Sequence, residues 1–398
     1  MENNDIFSYI KAKEDAEKGK FEYTYLKDLS NRRFTKTKRA LDLLSKIFKK
    51  RKKAEVIIIH GSKFMGSILL LNEKYNIIVL NPQLKDRIKL ISNGIETMST
   101  CKWDYELSES YKEFKLYNKE NLLNAVLKEI DKYLNGKKCS LVIFGFDGLF
   151  LERAITKVAK ENKIPTITIQ HGLFQFVKPH INDGYFTDYF FTWGHYFKEN
   201  YIKFGIQKED KIKIIGYPFY TNNKRRFNLS KDIKVLYLGT ISTNDEIRIE
   251  SYKIANMINH VCQRLDIEFC YRIHPGEDLN RIKDYCTQIN KFSCKNSLLQ
   301  DFDAYDVIIG INSTAIVEAT INNKIAVEMI NKKFISNKYY EMGIAYKCEC
   351  NENDLYDFFE QCKMNKIKPK INNQQYVYIN ENFNDDFLYE VRKVINSI

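Results

Sequence analysis

Two series of short apolar runs, each rich in β-branched residues, constrain the fold of this chain more than any other feature. Stretches with helical periodicity separate the runs, at Lys119–Leu134, Leu151–Asn162, Asp245–Leu265 and Ala315–Asn322. Buried parallel strands that alternate with helices produce this pattern. The sequence therefore predicts an α/β fold with two Rossmann-like domains. The expected strands are Glu55–Ile59, Asn76–Leu80, Leu141–Phe144, Thr166–Ile169, Val235–Leu238, Glu268–Ile273, Val307–Ile309 and Ile325–Glu328.

A polar and basic stretch separates the two series. It begins at Gly216-Tyr217-Pro218 and continues through 222–230 without periodicity, so we place the join at 220–232. The last residues carry apolar side chains at helical spacing, which predicts a closing C-terminal helix. The expected parts are a helical and basic segment over 1–53, Rossmann-like domains over 54–220 and 233–385, and the closing helix over 386–398.

Composition excludes several classes of protein. The 398 residues are 44% hydrophobic, which suffices for packed cores and argues against a disordered chain. No apolar run reaches the ~18–20 residues that a membrane span requires, and the charged first residues do not resemble a signal peptide, so a cytoplasmic location is expected. The nine cysteines form no CxxC and the six histidines are scattered, so we predict reduced thiols and no metal site.

Positive charge is concentrated near the N-terminus. Between Arg32 and Lys53 there are eleven basic residues and one acid, Asp42, a net charge of +10. An apolar stripe runs along the same expected helix. One hypothesis is that helix 32–53 binds an anionic membrane surface, which would make the protein peripheral on the inner face of the membrane; the other is that it packs on its own domain with a solvated basic back. No nucleic-acid partner is expected, because stacking aromatics and known motifs are missing. The stripe consists of Ala40, Leu41, Leu44, Ile47 and Phe48.

Polar residues follow the expected strands of the first series, where open α/β sheets bind ligands. Gln170, His171 and Gly172 end one strand, and a glycine there lets the backbone approach a substrate while the imidazole titrates near neutral pH. Asp147 follows another strand and is a candidate general base. His60 ends the first strand and could contact an acceptor. The alternatives are a histidine that only caps its strand and an aspartate that caps the next helix.

The second series offers groups that suit an anion. His274 follows an expected strand that also carries Arg272, and both could contact a phosphate. Ser313 and Thr314 precede a helix whose N-terminus has free N–H groups, and Glu318 could accept ribose hydroxyls. A turn histidine and an ordinary helix cap are the alternatives. The candidate donor-binding residues are Gly239, Thr240, Arg272, His274, Pro275, Asn312, Ser313, Thr314 and Glu318.

Neither a Walker A pattern nor GxGxxG occurs, which argues against P-loop and ordinary dinucleotide enzymes. The order of five segments resembles the metal-independent GT-B glycosyltransferases that build bacterial surface polysaccharides such as capsule and lipopolysaccharide. It is similar in particular to sialyltransferases, Kdo transferases and CDP-glycerol polyol-phosphate transferases. Phe146 stands where sialyltransferases have the first acid of their acidic motif. The segments are IPTITIQHG (164–172), DYFFTWGHYFKENYIKFGI (188–206), KIKIIGYPFY (211–220), RIHPGE (272–277) and GINSTAIVEA (310–319).

The resemblance implies a GT-B fold whose two Rossmann-like domains face each other across a cleft. It implies that His274, Ser313 and Thr314 hold the nucleotide phosphate, that Glu318 helps to hold the nucleotide, and that Asp147 is the base. Asp147 and His171 are thus the expected catalytic residues, and His60, Gln170 and Gly172 the expected acceptor contacts.

The expected reaction moves a sugar from a nucleotide-sugar donor, such as CMP-sialic acid or CMP-Kdo, to a hydroxyl of a glycan or glycolipid acceptor. It would use no metal and no cofactor beyond the co-substrate. Three alternatives stay open: a CDP-polyol phosphotransferase, a UDP-sugar 2-epimerase, and a non-catalytic scaffold at a membrane surface.

Overall fold

The computed structural model describes residues 6–7, 36–49, 55–117, 119–173, 186–218, 232–240, 242, 244–274, 276–370 and 374–397. Contacts divide the chain into two compact units. Of the described residues, the first unit contains those up to His171, then 186–218 and those from Val377 onward, and the second contains 172–173 and 232–376. Most of the expected join, 220–231, lies outside the described residues.

The first unit is built on a seven-stranded sheet in the order β3-β2-β1-β4-β5-β6-β7, counted over the described ranges. Every pair of neighbouring strands is parallel. The strand order reverses between β1 and β4, as in Rossmann folds. The strands are β1 Val56–His60, β2 Asn76–Leu80, β3 Glu96–Met98, β4 Cys139–Phe144, β5 Thr166–Ile169, β6 Tyr189–Thr192 and β7 Ile212–Ile214.

Helices cover both faces of this sheet. Because side chains alternate between the faces of a strand, Ile58 packs into one apolar cluster while Ile57 and Ile59 pack into the other. A short 3-10 turn, Glu209–Lys211, leads into β7. The helices are α1 Lys36–Phe48, α2 Met65–Asn72, α3 Leu84–Ser92, α4 Cys101–Tyr117, α5 Asn121–Lys137, α6 Phe150–Glu161 and α7 His195–Lys203.

The second unit repeats the architecture with a six-stranded parallel sheet, again counted over the described residues, in the order β10-β9-β8-β11-β12-β13. Asn244 caps α8 by accepting from the N–H of Glu246, and Ser297 with Gln300 forms a capping box on α10. The strands are β8 Lys234–Leu238, β9 Glu268–Arg272, β10 Phe292–Ser293, β11 Val307–Gly310, β12 Ile325–Ile330 and β13 Tyr346–Glu349. The helices are α8 Asp245–Arg264, α9 Leu279–Tyr285, α10 Leu298–Ala304, α11 Ala315–Ile321 and α12 Glu352–Lys363.

The chain then returns to the first unit and ends in α13, Phe383–Ile395. Gly216 receives the returning segment: its φ is +89°, and a Cβ there would lie 2.7 Å from the Cβ of Asn380. Asn380 in turn donates from its side chain to the carbonyl of Ile215, at 3.1 Å. The glycine before Pro218 is therefore required by backbone conformation and by close packing.

The predicted α/β fold with two Rossmann-like units is confirmed. All eight expected strands are strands, whereas β3, β6, β7, β10 and β13 were not predicted. All nine cysteines are free thiols. No helix in the described part of the chain is long and apolar enough to cross a membrane.

The basic helix differs from the expectation in its orientation. Its described part is α1, and residues 32–35 and 50–53 lie outside the described residues. α1 packs on its own unit through polar side chains: Asp42 pairs with Arg87, and Ser45 accepts from the N–H of Thr97 at 3.0 Å. The predicted packing of a helix with a solvated basic back is therefore wrong in one respect, because most of the apolar stripe faces outward.

Candidate functional site

The expected site residues lie at the carboxyl ends of strands in both units. In the first unit His60 ends β1, Asp147 follows β4 and His171 follows β5. In the second unit the corresponding positions follow β8, β9 and β11. Each sheet therefore carries a polar group of side chains at the edge where open α/β sheets bind ligands.

His60 and Glu152 form a pair in the first unit. Nδ1 of His60 lies 3.0 Å from Oε1 of Glu152, and both side chains are largely buried. Glu152 occupies the first turn of α6, where the helix dipole favours a carboxylate. A carboxylate on one ring nitrogen orients the imidazole, and imidazole and carboxylate are both groups that can accept or donate a proton.

His171 is a neutral imidazole near pH 7. Burial, together with the charge of Lys63, lowers the pKa of His171 to about 4. Lys63 donates from Nζ to the carbonyl of His171 at 2.6 Å, and the ring of Phe146 meets the imidazole edge to face at 5.3 Å. Nδ1 of His171 is buried and has no hydrogen-bond partner within the described residues. The ring therefore has an unused polar atom at the end of β5.

Asp147 does not have the environment expected of a general base. Its side chain is fully buried, and Oδ2 accepts from the N–H groups of Phe186 and Thr187 at 2.6 and 3.1 Å. Burial raises the pKa of Asp147 to about 6, although these hydrogen bonds and Arg153 oppose the rise. A carboxylate without solvent exposure that holds two backbone groups positions the chain before β6, and this geometry argues against direct contact with a substrate.

Gln170 also has a structural role. It is buried, and its side-chain oxygen accepts from the N–H of Trp193 at 2.8 Å, which ties β5 to the end of β6. The expectation that Gln170 contacts an acceptor is therefore not supported. A Cβ on Gly172 would lie 3.1 Å from Oγ1 of Thr314, so this glycine allows close packing within the second unit.

His274 lies in a turn after β9 that fixes its tautomer. Nδ1 of His274 accepts from the N–H of Gly276 at 3.1 Å, so the proton of the neutral ring is assigned to Nε2. Glu277 accepts from the N–H of His274 at 2.8 Å and from the hydroxyl of Tyr271 at 2.7 Å. Burial lowers the pKa of His274 and raises that of Glu277. His274 can therefore donate from Nε2 to an anion; Pro275 lies outside the described residues.

Arg272 is held inside the second unit. Its guanidinium pairs with the fully buried carboxylate of Asp301 and donates to the carbonyl of Asn296 at 3.2 Å. Asp301 also accepts from Ser293 at 2.6 Å. The expectation that Arg272 supplies charge to a donor phosphate is not supported, because that charge is already neutralised.

Gly239 and Thr240 follow β8. The N–H of Gly239 donates to the carbonyl of Arg272 at 2.9 Å, and a Cβ on Gly239 would lie 2.1 Å from Oε2 of Glu277. This glycine is therefore required for packing, and its amide is not available for a phosphate. The hydroxyl of Thr240 is buried without a hydrogen-bond partner in the described part of the chain, so it could serve a ligand.

The loop after β11 carries Asn312, Ser313 and Thr314. Oγ of Ser313 accepts from the N–H of Ala315 at 3.3 Å, while Thr314 already has helical dihedral angles. The expected cap is thus a local turn made by Ser313, and Glu318 lies half-buried one turn into the short helix α11.

Comparison with solved structures identifies the fold. The UDP-GlcNAc 2-epimerase of Neisseria meningitidis, bound to UDP-GlcNAc, superposes with a TM-score of 0.59 at 13% identity, over 85% of this chain and 100% of that chain. The UDP-GlcNAc 2-epimerase of Methanocaldococcus jannaschii superposes with a TM-score of 0.57 at 16% identity, over 85% of this chain and 100% of that chain. MnaA of S. aureus, in a UDP complex, gives 0.61 at 13% identity, over 87% and 98%. The protein has a GT-B-like fold. The sequence itself matches no family model and no curated protein.

The prediction of a glycosyltransferase is contradicted by these matches. Two of the three matched proteins are UDP-GlcNAc 2-epimerases, and an epimerase is an isomerase rather than a group-transfer enzyme. The broader resemblance to nucleotide-sugar enzymes of the GT-B fold is supported, whereas no sequence match supports the sialyltransferase, Kdo transferase or CDP-glycerol groups in particular.

Sequence reasoning missed two carboxylates, one in each unit. Glu152 pairs with His60, and its only signal was an acid in the first turn of the helix after β4. Glu328 is buried in β12 and accepts from the hydroxyl of Ser336 and the N–H of Tyr340, at 2.8 and 3.2 Å. The loop that contains Ser336 and Tyr340 also contacts the residues that follow β11, because Asn337 donates to the carbonyl of Asn312 at 2.9 Å. A lone acid within an apolar strand was the available signal for Glu328.

Proposed function

We propose that the protein is an isomerase that acts on a UDP-sugar, as a 2-epimerase does. The observation that carries the proposal is similarity over the whole length of two matched UDP-GlcNAc 2-epimerases, with 100% of each of those chains covered. One matched structure contains UDP-GlcNAc and another contains UDP. A nucleotide-sugar ligand is therefore the best-supported partner, and a glycan acceptor is not part of the proposal.

The second unit supplies groups that suit the nucleotide. His274 presents a proton on Nε2 and can donate it to a phosphate oxygen without carrying a charge of its own. The buried hydroxyl of Thr240 supports binding of a polar ligand group, because an unsatisfied buried hydroxyl costs about 1–3 kcal/mol. Ser313 and Thr314 are half-buried at the end of β11 and could add hydroxyl contacts.

The first unit supplies groups that can move a proton. Epimerisation at C2 removes a proton from one face of the sugar and returns one to the opposite face. No carbonyl acidifies C2, so the electron pair of the carbon–hydrogen bond can form a C1–C2 double bond while UDP leaves C1; return of the proton to C2 and of UDP to C1 completes the reaction. The reaction is redox-neutral and needs one group that accepts a proton and one that donates it. His60, held by Glu152, is the first candidate, and the neutral His171 is the second. Asp147 contributes by holding the chain before β6.

A nucleotide-binding panel tests the proposal. Thermal unfolding of the full chain is followed with UDP, CMP, CDP and GDP, since a ligand at a hundredfold excess over its dissociation constant stabilises by about 2.7 kcal/mol. We expect UDP to raise the melting temperature and CMP to leave it unchanged. A shift with CMP or CDP alone contradicts the proposal and favours a cytidine-nucleotide substrate. No shift with any nucleotide contradicts it and favours the scaffold alternative.

A further inference from the structure

Helix α1 packs on the first unit through polar side chains. A surface helix usually turns its polar side to solvent instead. Oδ2 of Asp42 accepts from the N–H of Ser99 at 3.0 Å, in addition to the ion pair with Arg87. Nζ of Lys49 lies 2.7 Å from the buried carboxylate of Glu96. Together with Ser45, these contacts make the inward side of the helix polar.

The outward side of α1 is apolar. The residues concerned are Leu43, Leu44, Ile47 and Phe48, and they are 61, 41, 74 and 60% exposed. At 3.6 residues per turn they span about 140° of the helix circumference, opposite the polar contacts. A surface helix normally buries such a stripe. An exposed apolar stripe of this width is typical of a surface that binds another protein, a membrane or a ligand.

The neighbouring helix α3 also carries exposed apolar side chains. Its Arg87 is the partner of Asp42, so the two helices lie side by side. Leu84 and Ile88 on α3 are 52 and 67% exposed. The docking face, defined as the exposed apolar side chains of α1 and α3, therefore contains six large residues on two adjacent helices.

The charge on the same two helices is positive. Exposed or partly exposed basic side chains lie on the same two helices: Lys36, Arg39, Lys46, Lys85 and Lys89. The two acids within α1 and α3 are engaged, since Asp42 pairs with Arg87 and Asp86 accepts from Ser62 at 2.5 Å. In the sequence, residues 32–53 carry a net charge of +10. A partner that suits this face has an apolar region into which the side chains can insert, and it carries negative charge.

We propose that the docking face of α1 and α3 binds an anionic phospholipid surface. Apolar side chains enter the boundary between headgroups and acyl chains, and the lysines and arginines meet the negative headgroups. A second copy of the chain suits the face less well, because a symmetric pair would place basic side chains against basic side chains. The inference is independent of the proposed function, since none of these residues belongs to the candidate site.

Vesicle flotation tests the inference. The full chain is mixed with phosphatidylcholine vesicles that contain roughly 30% phosphatidylglycerol, and in parallel with pure phosphatidylcholine vesicles, at low salt. We expect flotation with the anionic vesicles only, and release when salt is raised. The double variant Ile47→Ser/Phe48→Ser is expected to lower the partition coefficient more than tenfold, and Arg39→Glu/Lys46→Glu to do the same.

The matched control is Ile335→Ser in the second unit, which removes a side chain that is 76% exposed. It should float like the unmodified chain, and the melting temperature of every variant should be unchanged, because the altered side chains are exposed. The inference is overturned if the unmodified chain does not float, if it floats equally with neutral vesicles, or if Ile47→Ser/Phe48→Ser floats like the unmodified chain. A dimer in light scattering that the same double variant abolishes, without any flotation, also overturns it in favour of a second copy.

Discussion

Nδ1 of His60 lies 3.0 Å from Oε1 of Glu152, which joins the last residue of β1 to the first turn of α6. The parallel strand β4 lies beside β1, and the helix that follows β4 returns its first turn to this edge of the sheet. The pair therefore depends on the strand order of the Rossmann fold rather than on proximity in sequence. Under the proposed function it is the group that exchanges protons with the sugar.

The first prediction concerns Glu152→Gln. Loss of the carboxylate removes the group that orients the His60 imidazole, so kcat for epimerisation should fall about 100-fold or more while the affinity for UDP is unchanged. Steady-state kinetics and calorimetric titration with UDP measure the two quantities. Glu161→Gln, at the far exposed end of α6, is the matched control and should behave like the unmodified enzyme. Equal kcat values for Glu152→Gln and the control would remove the pair from the mechanism.

The second prediction concerns His274→Asn. Asparagine can keep the acceptor for the N–H of Gly276 but loses the donor at Nε2, so the affinity for UDP should fall roughly 10–100-fold. Calorimetry measures the dissociation constant, and a thermal melt checks the fold. His260→Asn, on the exposed face of α8, is the control. An unchanged dissociation constant for His274→Asn contradicts its role in nucleotide binding.

The third prediction separates a structural from a binding role for Arg272. Arg272→Met leaves the carboxylate of Asp301 buried without its cation, and since the arginine is partly exposed we expect a loss of about 2–3 kcal/mol in the free energy of unfolding. The affinity of the folded protein for UDP should stay within about threefold. Adding Asp301→Leu should restore part of the stability. A tenfold loss of affinity with unchanged stability would show instead that Arg272 binds the ligand.

The fourth prediction concerns the pH dependence of stability at Asp147. Burial raises its pKa from 3.8 to about 6, so the folded state binds a proton more tightly than the unfolded state does. The stability contributed by this group is full below pH 3.8 and is lost as the pH rises to about 6, by roughly 3 kcal/mol.

Asp147→Asn removes this titration while keeping an acceptor for the N–H groups of Phe186 and Thr187. Urea unfolding at several pH values should show the Asn variant gaining on the unmodified protein between pH 4 and pH 7. Asp147→Ala, which leaves both N–H groups without that acceptor, should be less stable than Asp147→Asn at every pH. A difference between the unmodified and Asn proteins that does not vary with pH contradicts the account.

The sequence was sufficient for the fold because the long buried strands are nearly continuous apolar runs. β2 and β5 agree with their expected bounds, and β4 differs only by an earlier start at Cys139. The missed strands are mostly short, such as β7 and β10, or begin with residues that carry no β-branched pattern, such as β13. Their strand conformation comes from pairing with a neighbour, which periodicity does not report.

The sequence predicted where the candidate site residues lie, but not which of them are free to bind a ligand and which stabilise the fold. Strand ends indicated where polar side chains would gather, yet Gln170 and Arg272 turned out to hold the fold through contacts distant in sequence. The helix α1 shows the same limit. Its pattern predicted an amphipathic helix, but only the partners Arg87 and Glu96 decide which side faces inward.

The most direct test of the proposed function is NMR of UDP-GlcNAc incubated with the purified full chain in D2O. We expect the signal of the C2 epimer to appear and deuterium from the solvent to replace hydrogen at C2, because the proton is removed from one face and a solvent-derived one returns on the other. An unchanged sugar that keeps its hydrogen at C2, under conditions in which UDP binds, would contradict the account.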